Sequence, residues 1–203
     1  MKSNIFKYLA AVAMATATLT SSYALSLTPM SLPLGSPVAS ETLSFTGNGF
    51  GGVPSGSLYS AVYNVSGKYT FVYQLTDTGA SSITELTLNG FIPSMGVTTL
   101  GYVTASGTTV PQTASLLVTG NLQVGFESTA GSGVGISASG GTSDYLVVGT
   151  TATAYLNNFP AGVIDGGVAP VNAYGPNVPD GGMTIMLLGG ALSGMALLRR
   201  KLA

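Results

Sequence analysis

Between Ser57 and Phe91 apolar and polar positions alternate with a period of two. Tyr59, Ala61, Tyr63 and Val65 alternate with other residues, and Ser66-Gly67 breaks the run. Tyr69, Phe71, Tyr73 and Leu75 then resume it, with Lys68, Thr70 and Gln74 opposite. Successive side chains of a strand point to opposite faces, so the pattern predicts an antiparallel hairpin with one aromatic face, its tyrosines filling a core. Asp77-Thr78-Gly79 makes the next turn, and Leu86 and Leu88 share one face of a third strand that ends near Asn89-Gly90. Upstream, Pro29, Pro33 and Pro37 make residues 25–40 an extended lead-in to an edge strand over 41–45. Downstream, shorter strands are expected over 97–104, 115–118, 122–126, 133–137 and 145–153. A late hairpin is expected over 163–168, and 172–177 reads as a linker. Turn residues at short intervals and no helical period predict an all-β fold, a single antiparallel β-sandwich of jelly-roll-like form. Gly47, Gly49 and Gly52 match the spacing of a dinucleotide cradle, but Pro54 and strand-like residues stand where that motif needs a helix.

The two ends of the chain have a different pattern. Lys2 and Lys7 precede a short apolar run over 9–19, and Ser22-Tyr23-Ala24 closes it in the small-x-small manner. Residues 1–24 therefore read as a signal helix, cut after Ala24 by signal peptidase; an uncleaved anchor is the alternative, for which the run is short. At the other end Val178, Pro179, Asp180, Gly181 and Gly182 form an extended, accessible turn, because Pro179 and the glycines continue neither a helix nor a central strand. Residues 183–198 carry no charge. As a helix they reach roughly 24 Å, short of a hydrocarbon core of about 30 Å, so they form a thin transmembrane anchor. Arg199, Arg200 and Lys201 follow, and such a basic cluster stays on the cytoplasmic side, leaving everything before Val178 outside. The GxxxG spacing of Gly190 and Gly194 reads as chance in a tail this rich in small residues. The mature part is then residues 25–177, the usual size of one domain.

Composition narrows what that domain does. Charged residues are 6% of the chain and its mean hydropathy is +0.46, which is not the signature of a disordered chain. Between Leu25 and Asn177 the only cation is Lys68, against Glu41, Asp77, Glu85, Glu127, Asp144 and Asp165. That acidic balance argues against a nucleic-acid partner. The sequence has no Cys and no His, which excludes disulfides, a thiol nucleophile and an imidazole base.

Three chemistries are left to weigh. Glu85 and Glu127 are the least turn-like pair of carboxylates for a glycosidase, but each falls on the polar face of its strand and reads as solvated charge, so no catalytic residue and no enzyme activity is expected. Asp77, Asp144 and Asp165 offer hard oxygen ligands in loops, as Ca²⁺ prefers, although Asp before Gly more often only forms a turn. Apart from that ion no cofactor is implied. Tyr102, Tyr145 and Tyr155 are candidates for stacking on sugar rings.

The sequence of motif, apolar helix and basic cluster over 178–203 resembles the PEP-CTERM class of bacterial sorting signals, read by membrane proteases of the exosortase group. Its core, Val-Pro-Asp-Gly-Gly in place of Val-Pro-Glu-Pro, is similar to the variant in which Val-Pro-Asp is followed by Ser-Gly or Gly-Gly. The resemblance implies an exosortase substrate: export, transient insertion of the tail in the inner membrane, cleavage near the motif, and release to the cell surface or an extracellular matrix. A permanent tail anchor of the same topology is the alternative. Gly67-Lys68-Tyr69-Thr70-Phe71-Val72-Tyr73-Gln74-Leu75, Gly141-Thr142-Ser143-Asp144-Tyr145-Leu146-Val147-Val148 and Ile164-Asp165-Gly166-Gly167 are similar to mature domains that accompany such tails, single β-sandwiches of unassigned activity. The function expected is a non-enzymatic structural or adhesive protein of an exopolysaccharide or biofilm matrix, with a carbohydrate-binding module as the alternative.

Overall fold

The computed structural model describes residues 22–33, 35–48, 53–91, 96–126 and 135–177, and every regular element among them is a strand. In chain order these are β1 (Ser22–Ala24), β2 (Thr28–Pro29), β3 (Ala39–Thr46), β4 (Ser55–Val65), β5 (Lys68–Asp77), β6 (Glu85–Asn89), β7 (Val97–Val103), β8 (Thr113–Leu117), β9 (Asn121–Gly125), β10 (Tyr145–Thr150), β11 (Tyr155–Ile164) and β12 (Val168–Pro176). They make two six-stranded sheets, β1-β8-β9-β6-β11-β12 and β2-β7-β10-β5-β4-β3. All pairings are antiparallel except β2 with β7, so the second sheet is mixed rather than purely antiparallel. Of the signal helix expected over 1–24, residues 1–21 lie outside the described residues and Ser22–Ala24 form strand β1 instead, which the expected cut after Ala24 would remove; the transmembrane helix expected over 183–198 lies outside the described residues.

The hairpin of β4 and β5 forms where the alternation placed it, but its faces differ from expectation. Ser66 and Gly67 both take positive φ, 55° and 79°, the geometry of a two-residue hairpin turn, and the Gly67 N–H donates to Asn64 Oδ1 at 2.9 Å. A two-residue turn pairs Val65 with Lys68, and therefore odd positions of β4 with even positions of β5. Tyr59 faces Gln74 and Tyr63 faces Thr70, while Leu58, Ser60 and Val62 face Leu75, Tyr73 and Phe71. Two opposite faces thus share the aromatic residues. Phe71, Tyr73, Leu58 and Val62 enter the core between the sheets, where they meet Leu86, Leu88, Leu122, Val124 and Val163 of the first sheet. Tyr59 and Tyr63 lie on the outer face with Ala61, Val72, Val103, Tyr145 and Val147.

Those outer-face residues are roofed. β2 and β3 stand at opposite edges of the second sheet, so the chain between them must cross all its strands. Five strand spacings of about 4.8 Å make roughly 24 Å. The extended chain from Pro29 to Ala39 reaches at most roughly 36 Å, so the crossing is nearly direct. Met30 and Leu32 pack on the outer cluster as it passes. Met30 lies over Gly101, where a Cβ would come within 2.4 Å of the Met30 methyl. Proline at 29, 33 and 37 suits a strap that has no strand partner for most of its length.

The late hairpin is longer than 163–168. The expected linker 172–177 is the second half of β12, whose Ala169, Val171 and Ala173 alternate into the core. Its small side chains and Pro170 and Pro176 masked the period, and prolines are admitted because β12 is an edge strand. Of the strand expected over 133–137, residues 133 and 134 lie outside the described residues, and Ile136 makes a single bridge to Ile83. Strand β10 stops at Thr150, three residues short of its expected end.

Candidate functional site

The functional residues divide between the two ends of the sandwich. At one end the chain leaves the fold. β12 runs to Pro176, paired with Tyr155, and the Asn177 N–H donates to Ala154 O at 3.0 Å. Among the described residues the last backbone hydrogen bond is therefore one residue before Val178. This end is packed by aromatic rings in edge contacts: Tyr69 with Tyr155 at 5.0 Å, Tyr155 with Tyr174 at 5.8 Å, and Phe91 with Phe159 at 5.2 Å. Gly175 is required here, since a Cβ on it would sit 2.1 Å from Cγ of the Phe159 ring. The Tyr73 hydroxyl, fully buried, donates to Tyr174 O at 2.6 Å and ties the second sheet to β12; burial pushes it well above the usual phenol range.

Residues 177–202 match the VPDSG-CTERM motif family. The tail is a PEP-CTERM-like sorting signal. That signal implies export and handling by an exosortase-type membrane enzyme, and it is consistent with placement at the cell surface. Val178, Pro179, Asp180, Gly181 and Gly182, with Arg199, Arg200 and Lys201, all lie outside the described residues, so what the structure supplies is the point from which the sorting signal departs. No curated protein and no solved structure matches the chain.

The opposite end holds most of the carboxylates. Asp77 ends β5 and is fully buried; its Oδ1 accepts the Gly79 N–H at 2.7 Å. Burial pushes this carboxyl up, the backbone N–H groups of Gly79 and Ile83 act against that, and the charge of Asp165 raises it further. Asp165 opens the β11–β12 turn, 7% exposed, with Oδ1 accepting the Gly167 N–H at 3.4 Å; burial raises it, and that N–H opposes the rise. Asp144, 1% exposed, is held by the Gly107 N–H at 2.7 Å in a separate connection. The three candidate metal ligands are therefore not one cluster: among the described residues no three His, Cys, Asp or Glu side chains gather to hold a metal ion.

The remaining candidates are dispersed. Glu85 stands half-buried on the polar side of β6, its carboxyl raised by burial, and its expected partner Glu127 lies outside the described residues. A surface groove of about 430 Å³ between β3 and β11–β12 is lined by Leu43, Ser44, Pro160, Ala161, Pro170, Val171 and Asn172, with no ionisable side chain. Tyr102 is opposite Leu146, on the core side of the second sheet, whereas Tyr145 is opposite Val103 on the outer side, in edge contact with Tyr59 at 5.9 Å. Tyr155 belongs to the other sheet. No common stacking platform joins these three rings. What sequence reasoning missed is the electrostatic link of Asp165 to Asp77 and the edge-to-edge tyrosine cluster at the exit of the tail. Both depend on strand register between distant segments, for which the sequence carries no local signal.

Proposed function

We propose that this is an exported, non-enzymatic surface or matrix protein, a compact β-sandwich delivered by its sorting signal and acting as a structural or adhesive unit in an exopolysaccharide or biofilm matrix. The observation that carries the reading is the direct junction of the sorting signal to the last strand of the fold. The delivered object is then the sandwich itself. From Asn177 to Met183 the chain reaches at most roughly 20 Å, so while the tail is inserted the domain stands close against the bilayer. A largely uncharged surface of Ser, Thr, Asn and Gly suits many weak contacts with neutral polysaccharide or with neighbouring copies. Release then requires cutting near 178–182 by the exosortase-type enzyme.

The test is the intact mass and location of the protein in its native host, wild type against Pro179→Ala. The expected wild type lacks residues 1–24 and the tail and is recovered outside the cell, while the variant stays in the membrane fraction. Wild-type protein that keeps Arg199, Arg200 and Lys201 in the membrane would replace this reading with permanent tail anchoring.

A further inference from the structure

Two buried carboxylates lie at the end of the sandwich away from the tail, Asp77 at the end of β5 and Asp165 in the β11–β12 turn. The Asp77 backbone is fixed by Gly140 and Gly141: its N–H donates to Gly141 O at 2.9 Å and its carbonyl accepts the Gly140 N–H at 2.6 Å. The β5–β6 connection is joined to the β11–β12 turn by Thr84, whose N–H and hydroxyl both donate to Ile164 O, at 2.8 and 3.1 Å. Asp165 is the next residue. The two connections are thereby neighbours, and the charge of Asp165 raises the Asp77 carboxyl. In each carboxylate one oxygen is engaged by its own turn, and the other, Oδ2, is buried with no hydrogen-bond partner. Two like charges with unpaired, buried oxygens need a counterion or a proton. Lys68, the one cation among the described residues, is at the opposite end, beyond the full length of β5.

We propose that Asp77 and Asp165 together hold a hard divalent cation, Ca²⁺ by preference, between the β5–β6 connection and the β11–β12 turn, with water and loop carbonyl oxygens completing its shell. Ca²⁺ takes roughly six to eight oxygens in irregular arrangements, whereas Mg²⁺ demands a near-ideal octahedron and gives up water reluctantly. Two turns from different sheets suit the first ion better. The cation would staple the second sheet to the first at this end, in a chain that has no cysteine to do so. Asp144, just before β10, has its own buried unpaired Oδ2 but is held by the Gly107 N–H of the β7–β8 connection; it is outside the site and serves as the control.

The full chain, purified in mild detergent and stripped with EDTA, is melted in CaCl₂, in MgCl₂ and in EDTA at pH 7.5, and bound Ca²⁺ is counted by equilibrium dialysis. The expected results are one ion per chain and a Tm rise of roughly 5–10 °C at a hundredfold excess over Kd, smaller with Mg²⁺. Asp77→Asn and Asp165→Asn each abolish the rise yet melt in EDTA no lower than wild type, because the like-charge pair is gone. Asp144→Asn keeps the rise. No bound ion by dialysis overturns the proposal, as does a wild-type Tm indifferent to both metals while it falls between pH 4.5 and 7.5; the latter result would mean that the pair is neutralised by a proton. A Ca²⁺-dependent rise retained in both the Asp77 and Asp165 variants also overturns it.

Discussion

The two ends of the sandwich are built from opposite materials. At the tail end Tyr69, Tyr155, Tyr174, Phe91 and Phe159 close the core with rings, Lys68 is exposed, and Val65 and Leu156 stand on the surface. At the far end Asp77, Glu85, Asp144 and Asp165 sit at strand ends and turns, among glycines that approach other backbone closely. The difference teaches how a chain with so few charges uses them. Tyrosine rings and a lysine tolerate the boundary between water and an anionic bilayer, whereas carboxylates are repelled from it. Under the proposed anchoring, the acidic end is held outward, where soluble cations are available.

The comparison can be broken at several points, from the largest effect downward. Pro179→Ala should remove essentially all delivered protein while leaving the melting of the domain unchanged, as read by fractionation and thermal unfolding. Phe159→Ala should destabilise the fold by about 3–5 kcal/mol, because it deletes a buried ring packed on Phe91, as measured by urea unfolding. Tyr73→Phe should cost about 1 kcal/mol in the same assay, through loss of the bond to Tyr174 O.

The acidic end gives a prediction in pH. Burial raises the carboxyls of Asp77, Asp165, Glu85 and Glu41 in the folded state. A raised carboxyl favours the protonated fold, so this stability is fully present below the unfolded values, about pH 4, and is lost as pH rises through the folded ones. In EDTA the Tm should therefore fall from pH 4.5 to 7.5, and Asp77→Asn should flatten that slope. Lys68→Ala, at the exposed start of β5, should change stability by less than about 0.5 kcal/mol.

How much of this was legible in the sequence varied with the range of the interaction. The alternation from Tyr59 to Leu75 announced its hairpin because period and turn chemistry are local. The face of each tyrosine was not legible by alternation alone: Ser66-Gly67 closes a two-residue turn, which puts Tyr59 and Tyr63 on the side opposite Tyr73. β12 was hidden for a different reason, since Ala169, Ala173 and Gly175 bury little and look like linker residues until β11 is beside them. The acidic turns were visible one at a time. That the β5–β6 connection meets the β11–β12 turn follows from the bond between Thr84 and Ile164, which no local pattern encodes. The family of the sorting signal, by contrast, was legible, because it is read as a linear string.

The strap from β2 to β3 also sets an order of events. It lies across strands β7, β10, β5 and β4, all of which follow it in the chain. A surface cannot be crossed before it exists, and contacts between distant segments form late because the intervening chain must first be closed into a loop. In a chain that emerges amino terminus first, this early segment is therefore among the last to dock. Until β10 has followed, Met30 and Leu32 have no completed sheet to cover, and the outer tyrosines wait in solvent for a roof that was synthesised before them.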